Sequence, residues 1–230
     1  MERGEYEQLE NTWANTTAAT AAKGALYAVT AGSLYRIDAA TGGYEQLDGS
    51  WATVRMTSLG DNLFLWESGG SLYRTAAATG VWTQLDGSWP AMGGVTAGAK
   101  ALFAVSQGSL YRVNPEDGAY EQLEGSWETA HMAALGDRLF MFERGGALYR
   151  ASAATGEWEQ LEGSWSGTTA ATAANGRLFA IDGGSLYDID PETGAYETVG
   201  DGGWKTQHLV GIGKSLFAFE EGGSLYRLAI

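Results

Sequence analysis

Apolar and polar residues alternate along this chain in short runs, and no stretch sustains the 3.6-residue apolar period of an amphipathic helix. Residues 51–73, WATVRMTSLGDNLFLWESGGSLY, show the pattern. Ala52–Leu59 reads as a small-residue, Thr-rich strand ending at a Gly-Asp turn. Asn62–Glu67 reads as an apolar strand with alternating aromatics, followed by a Gly-Gly turn. Ser71–Thr75 carries Leu-Tyr-Arg, and beyond an AATG turn comes Val81–Leu85. Four short strands in 38 residues is the spacing of a propeller blade.

The pattern then repeats. Leu-Tyr recurs at 34–35, 72–73, 110–111, 148–149, 186–187 and 225–226. A tryptophan closing a Gly-rich step recurs at Trp13, Trp51, Trp89, Trp127, Trp165 and Trp204. Each series advances by 38 residues four times and then by 39, the extra residue lying in Gly200–Gly203. The sequence starts and stops partway through a unit. Joining Leu225–Ile230 to Glu2–Trp13 gives 18 residues, the length of Leu72–Trp89. Residues 1–230 are therefore predicted to form one domain, an all-β, six-bladed β-propeller with four antiparallel strands per blade. Its N-terminal strand is expected to complete the last blade and close the ring.

Strand roles follow from crowding near an axis. Runs of Ala, Gly and Thr at 16–22, 93–99 and 168–174 suit innermost strands, where six sheets converge. Runs apolar on both faces, such as 25–29 and 101–105, suit strands sandwiched between neighbouring sheets. The YEQL segment is expected to be an outer edge strand with a buried aromatic and outward charge. A longer period overlies these. Arg55, His131 and His208 stand four residues after their tryptophans, where alternate units have Thr17, Gly93 and Thr169. Glu67, Glu143 and Glu220 share that alternation. The repeat is thus a pair of blades used three times, an approximate threefold axis on a sixfold ring.

Apolar residues make up 44% of the chain, enough for a sizeable core, and no apolar run approaches the roughly 18 residues of a membrane helix. The formal charge of −14, from 28 acidic and 14 basic residues, repels nucleic-acid phosphates and anionic membranes, so neither is an expected partner. A monomer is expected. The absence of cysteine excludes disulfides and thiolate metal sites, and MERGEYEQLE lacks the features of a secretory signal. No compartment is assigned.

Three groups of side chains invite chemistry. If exposed, the six repeat tryptophans would stack on sugar faces; the alternative is that each packs between blades and pins its loop. Arg55, His131 and His208 would point toward the central channel and bind an anion on the axis, or else cap the inner strands or pair with Glu67, Glu143 and Glu220. Arginine stays protonated and cannot ligate, so the trio is a poor metal site. The third group is Asp182, Asp188, Asp190, Glu192 and Glu197, which reads as a calcium site or as ordinary turn chemistry. Elsewhere, strand pairing across the AATG turn sets Arg36 against Glu45, Arg112 against Glu121, Arg150 against Glu159 and Arg227 against Glu7. Asp188 would face Glu197, a pair that ought to repel. With two histidines, no cysteine and no nucleophile, phosphate-loop or dinucleotide motif in a matching context, no enzyme, cofactor or metal is expected.

The segments LYRIDAATG (34–42), LYRVNPEDG (110–118) and LYDIDPETG (186–194) resemble the strand–turn units of kelch-like and quinoprotein-type propellers. The absent cofactor ligands and the blade number argue against a quinoprotein. The unit from tryptophan to tryptophan resembles tectonin repeats, which build six-bladed propellers and include glycan-binding lectins. That resemblance implies a non-enzymatic, multivalent, lectin-like module with glycan sites between blades. The even spacing and uniform loops also fit an engineered or recently amplified symmetric scaffold with no selected ligand. Small anions on the channel axis are the third expectation.

Overall fold

In the second blade the alternating sequence forms four antiparallel strands, Thr53–Leu59, Asn62–Glu67, Leu72–Ala76 and Trp82–Leu85, hydrogen-bonded in sequence order from inside to outside. This computed structural model describes residues 1–98 and 100–230; Ala99, the last position of the small-residue run 93–99, lies outside the described residues. The described residues form six four-stranded sheets and no helix. Inner strands of the other blades are Thr16–Ala22, Met92–Gly98, Thr129–Leu135, Thr168–Ala174 and Thr206–Ile212. The first and last of these six inner strands touch, which closes the circle. The sixth blade is completed by Tyr6–Gln8, paired antiparallel to Leu225–Ala229 with Glu7 opposite Arg227.

No core lies on the axis. Buried apolar residues fall into six clusters, each shared by two neighbouring blades. Second strands are buried on both faces because a sheet lies on either side; Leu63, Phe64, Leu65 and Trp66 are all under 2% exposed. Small residues line the inner strands because larger side chains would collide: a Cβ on Gly211 would lie 2.7 Å from that of Ala174 in the preceding blade.

The outer strands correct one expectation. Their aromatic is not the buried residue. Tyr6, Tyr44, Trp82, Tyr120, Trp158 and Tyr196 are 51–57% exposed, and the anchor is the apolar residue three positions on, such as Leu9, Leu47 or Leu85. Only three or four residues long, these strands have no neighbour on their outer edge, and the aromatic ring leans edge-on against the third-strand tyrosine instead.

The turn between third and outer strands seats each blade on the one before it. At Gly118, φ is +85°, and an added Cβ would lie 2.5 Å from the Asp86 carbonyl oxygen of the preceding blade. Gly60 also has positive φ, +60°, but an added Cβ would meet nothing within 4 Å. Gly118→Ala is therefore expected to destabilise the protein by about 1–3 kcal/mol more than Gly60→Ala in urea unfolding. Equal losses would show that the close approach is not needed.

At the seam the same turn is interrupted by the chain ends, and Gly4, with φ +86°, takes the place of the turn glycine. It lies against Gly200, the start of the segment carrying the extra residue. The one irregular repeat thus coincides with the point where the ring is cut.

Candidate functional site

The repeat tryptophans sit in the loops that lead from one blade's outer strand to the next blade's inner strand. Trp13, Trp51, Trp89, Trp127 and Trp165 are 2–7% exposed and belong to the inter-blade clusters, while Trp204 is half-buried. Each meets the third-strand tyrosine and the outer-strand aromatic of its blade edge-to-face, as in Trp127 with Tyr149 and Trp158 at 5.7 and 6.0 Å. Five of the indoles are therefore buried between blades, and the half-buried Trp204 packs against the cluster of the fifth and sixth. Their indole nitrogens differ between blades. Trp51 and Trp127 donate Nε1–H to the carbonyls of Asp48 and Glu124, whereas Nε1 of Trp13, Trp89 and Trp165 is buried without a partner among the described residues.

Arg55, His131 and His208 do come together. Each inner strand carries a bulge near its start, and in the even blades the bulge falls just before these residues. A bulge bends the strand and re-aims the following side chain. All three line a narrow channel of about 150 Å³ and the floor of a funnel of about 1010 Å³ that opens above it. Below the neck the channel continues as a chamber of about 260 Å³ lined by small residues of the inner strands together with Met56, Met132 and Leu209.

The trio shares one kind of contact across the blade boundary. Arg55 Nε–H donates to the Gly93 carbonyl at 2.6 Å, and His208 Nε2 lies 3.0 Å from the Thr16 carbonyl. His131 faces the backbone of Thr168. Each of these partners belongs to the inner strand of the next blade, and Arg55 also donates Nη1–H to the Val54 carbonyl of its own strand at 2.8 Å. The expected pairing with the glutamates is not made. Glu67, Glu143 and Glu220 instead accept from Thr53, Thr129 and Thr206 hydroxyls and from the N–H groups of Ala52, Glu128 and Lys205, capping their own inner strands.

Left without carboxylates, the trio is electrostatically perturbed. Burial, followed by the charge of Arg55, pushes His131 down to about 4, partly offset by the Thr168 carbonyl. Burial also lowers His208, against the opposing effect of the Thr16 carbonyl, with Arg55 adding to the fall. Arg55 is lowered by burial and then by Arg144, but a guanidinium stays charged at any working pH.

The sign for stability follows. A neutral buried imidazole takes no proton until about pH 4, while the unfolded chain takes one near 6.5. Stability is therefore full above 6.5 and falls as pH drops toward 4. Relative to His131→Gln, the wild type is expected to lose about 2–3 kcal/mol between pH 6.5 and 4 in parallel urea titrations. Parallel pH profiles would show that His131 is not held neutral.

Two basic residues that escaped the sequence pattern, Arg144 and Lys205, join the funnel wall with Gln207, Trp51 and Trp204; Glu221 is the acidic one. Among the described residues, nine of the 14 Lys and Arg form ion pairs elsewhere on the ring. Three of the other five are Arg55, Arg144 and Lys205.

The acidic cluster in the fifth blade is spoken for. Asp188 does face Glu197 in register, and Arg3 bridges them, 2.6 Å from each. Arg177 adds bonds of 2.7 Å to Asp188 and 2.9 Å to Asp190. Glu192 lies between Arg138 and Arg150, and Asp190 also accepts the N–H groups of Glu192 and Thr193. Among the described residues no three His, Asp or Glu side chains converge as a metal would require. The other expected cross-strand pairs, Arg36–Glu45, Arg112–Glu121, Arg150–Glu159 and Arg227–Glu7, are all present.

No protein-family model matches this sequence, and no curated protein matches it. Solved structures do. Virginiamycin B lyase from Staphylococcus aureus superposes with a TM-score of 0.69 at 13% identity, covering 98% of each chain. A Bacteroides thetaiotaomicron protein of unknown function gives 0.74 at 14% identity, covering 98% of this chain and 72% of the other. The computationally designed protein Ika8 gives 0.60 at 14%, covering 97% of this chain and 98% of the other. At these identities, and across such different neighbours, the likeness establishes the propeller fold and nothing of the activity.

Proposed function

We propose that this protein is a non-enzymatic binding module whose principal site is the axial funnel, and that its ligand is a small anion. The observation that carries this reading is the clustering of Arg55, Arg144 and Lys205 around one cavity in a chain of net charge −14. The rest of an acidic surface would repel such a ligand, and a concave low-dielectric wall focuses the field of the few cations present. The funnel has the size of a small-molecule site. Isothermal titration with inorganic phosphate and with sulfate at low ionic strength tests it. Wild type is expected to bind at least one of them, and Arg55→Gln to lose about ten- to a hundredfold in affinity, the worth of a hydrogen bond to a charged group. Flat wild-type traces would refute the site and leave the symmetric scaffold without a ligand as the better description.

A glycan reading keeps one supporting observation, with different aromatics. Grooves of about 400 and 420 Å³ beside the half-exposed Trp158 and Tyr120 each pair an open ring with an arginine and a carboxylate, the elements of a sugar platform. A glycan array with wild type and Trp158→Ala decides this reading; silence from wild type removes it.

A further inference from the structure

The funnel floor is not uniformly a donor surface. A carbonyl oxygen only accepts, so the Thr16 carbonyl 3.0 Å from His208 Nε2 holds the proton on that nitrogen. In the neutral ring Nδ1 is then an acceptor, on a side chain that lines the cavity. His131 occupies the equivalent place one blade pair away, beside the Thr168 backbone. The third member, Arg55, offers only donors, two of which are taken by the Gly93 and Val54 carbonyls. A ligand on the axis thus meets one cation, the lone pair of His208 Nδ1 and a second neutral imidazole at His131.

That combination discriminates between anions. Sulfate has only acceptor oxygens and would oppose lone pair to lone pair at His208. A phosphate that keeps an acidic O–H places an ionised oxygen on Arg55 and donates its proton to an imidazole nitrogen. Resting on the reading of the funnel as an anion site, we infer that the axial site selects protonated phosphoryl groups, hydrogen phosphate or a singly protonated phosphate monoester, over fully ionised oxyanions. A neutral site would leave this preference to hydrogen bonding alone, but Arg144 and Lys205 at the mouth, opposed by Glu221, add general attraction for any anion. They do not distinguish the two classes. Burial and the Arg55 charge keep both imidazoles neutral in the physiological range, which preserves their acceptor role. The neck of about 150 Å³ equals roughly five water volumes, enough for a phosphoryl head, with the wider funnel left for a substituent.

Titration calorimetry with inorganic phosphate, glycerol phosphate and sulfate, at pH 6 and pH 8 and constant ionic strength, tests the inference. At pH 6 phosphate is expected to bind at least tenfold more tightly than sulfate, although sulfate carries the greater charge. Glycerol phosphate loses its last proton near pH 6, so its affinity should fall on the order of 30- to 100-fold by pH 8 while sulfate stays level. Inorganic phosphate still carries an O–H at pH 8 and should keep its lead over sulfate. If inorganic phosphate binds and glycerol phosphate does not, the natural source is free phosphate. His208→Phe removes one acceptor and should narrow the phosphate-to-sulfate ratio; should that variant not fold, the wild-type comparison decides. Sulfate binding as tightly as phosphate, or glycerol phosphate affinity unchanged between the two pH values, would overturn the selectivity and leave anion binding standing. No binding of any of the three would overturn both.

Discussion

Deleting Glu2–Trp13 is expected to abolish cooperative unfolding of the whole ring, not to loosen the sixth blade alone. The deleted segment supplies that blade's outer strand, together with Leu9 and Trp13, which are 6% and 4% exposed between the sixth and first blades. It also supplies Arg3, which reaches past its own blade to Asp188 and Glu197 of the fifth. Truncating a buried leucine or tryptophan removes about 2–5 kcal/mol each. Their sum, before any ladder hydrogen bond is counted, approaches the roughly 5–15 kcal/mol that holds a domain folded. Because the core lies between blades, opening one interface strips half the cover from two sheets at once. Differential scanning calorimetry should show the main transition lost or shifted down by more than about 15 °C. A transition matching wild type would mean the ring does not depend on its closing strand.

The second large effect concerns the tryptophans. Trp127→Ala should destabilise the protein by about 3–5 kcal/mol, because the indole fills the space between the third and fourth blades and its Nε1–H satisfies the Glu124 carbonyl. At this chain length that is a fall of about 10 °C. Trp158→Ala, at a half-exposed ring in edge contact with the same indole, should cost about 1 kcal/mol. Thermal melts of the two variants separate packing from display. Equal small losses would return the repeat tryptophans to the list of ligand contacts.

The ring itself was legible because it is written six times. Spacing alone set the register, down to Arg36 opposite Glu45 and Asp188 opposite Glu197. Three features were hidden for physical reasons. In YEQL, Tyr and Gln fall on one face and Glu and Leu on the other, and a period of two cannot say which face of an edge strand is covered. The repulsion between Asp188 and Glu197 is relieved by Arg3, which lies 185 positions from Asp188 and in no repeat register with it. Arg144 and Lys205 escaped because they break the pattern. Ser68 and Glu221 stand where Arg144 does in the sister blades, and Ala52 and Glu128 where Lys205 does. A search for regularity sees the scaffold and passes over the side chains that make one mouth of it positive. The Arg55, His131 and His208 alternation was visible, but the bulge that aims it and the carbonyls that hold it were not.

Interruption of the ring at a turn also shapes how the chain reaches its native state. Among the described residues every strand pair but one joins neighbours in a hairpin, so blades are local structures that form without long loops. The exception pairs Tyr6 with Leu228, across nearly the whole chain. Loop-closure entropy grows only with the logarithm of length, so this contact is affordable at equilibrium. Its docking site is Leu225–Ala229, so this contact is expected to follow formation of the sixth blade. Until then one flank of the first blade and one of the sixth stand open, two apolar faces awaiting each other.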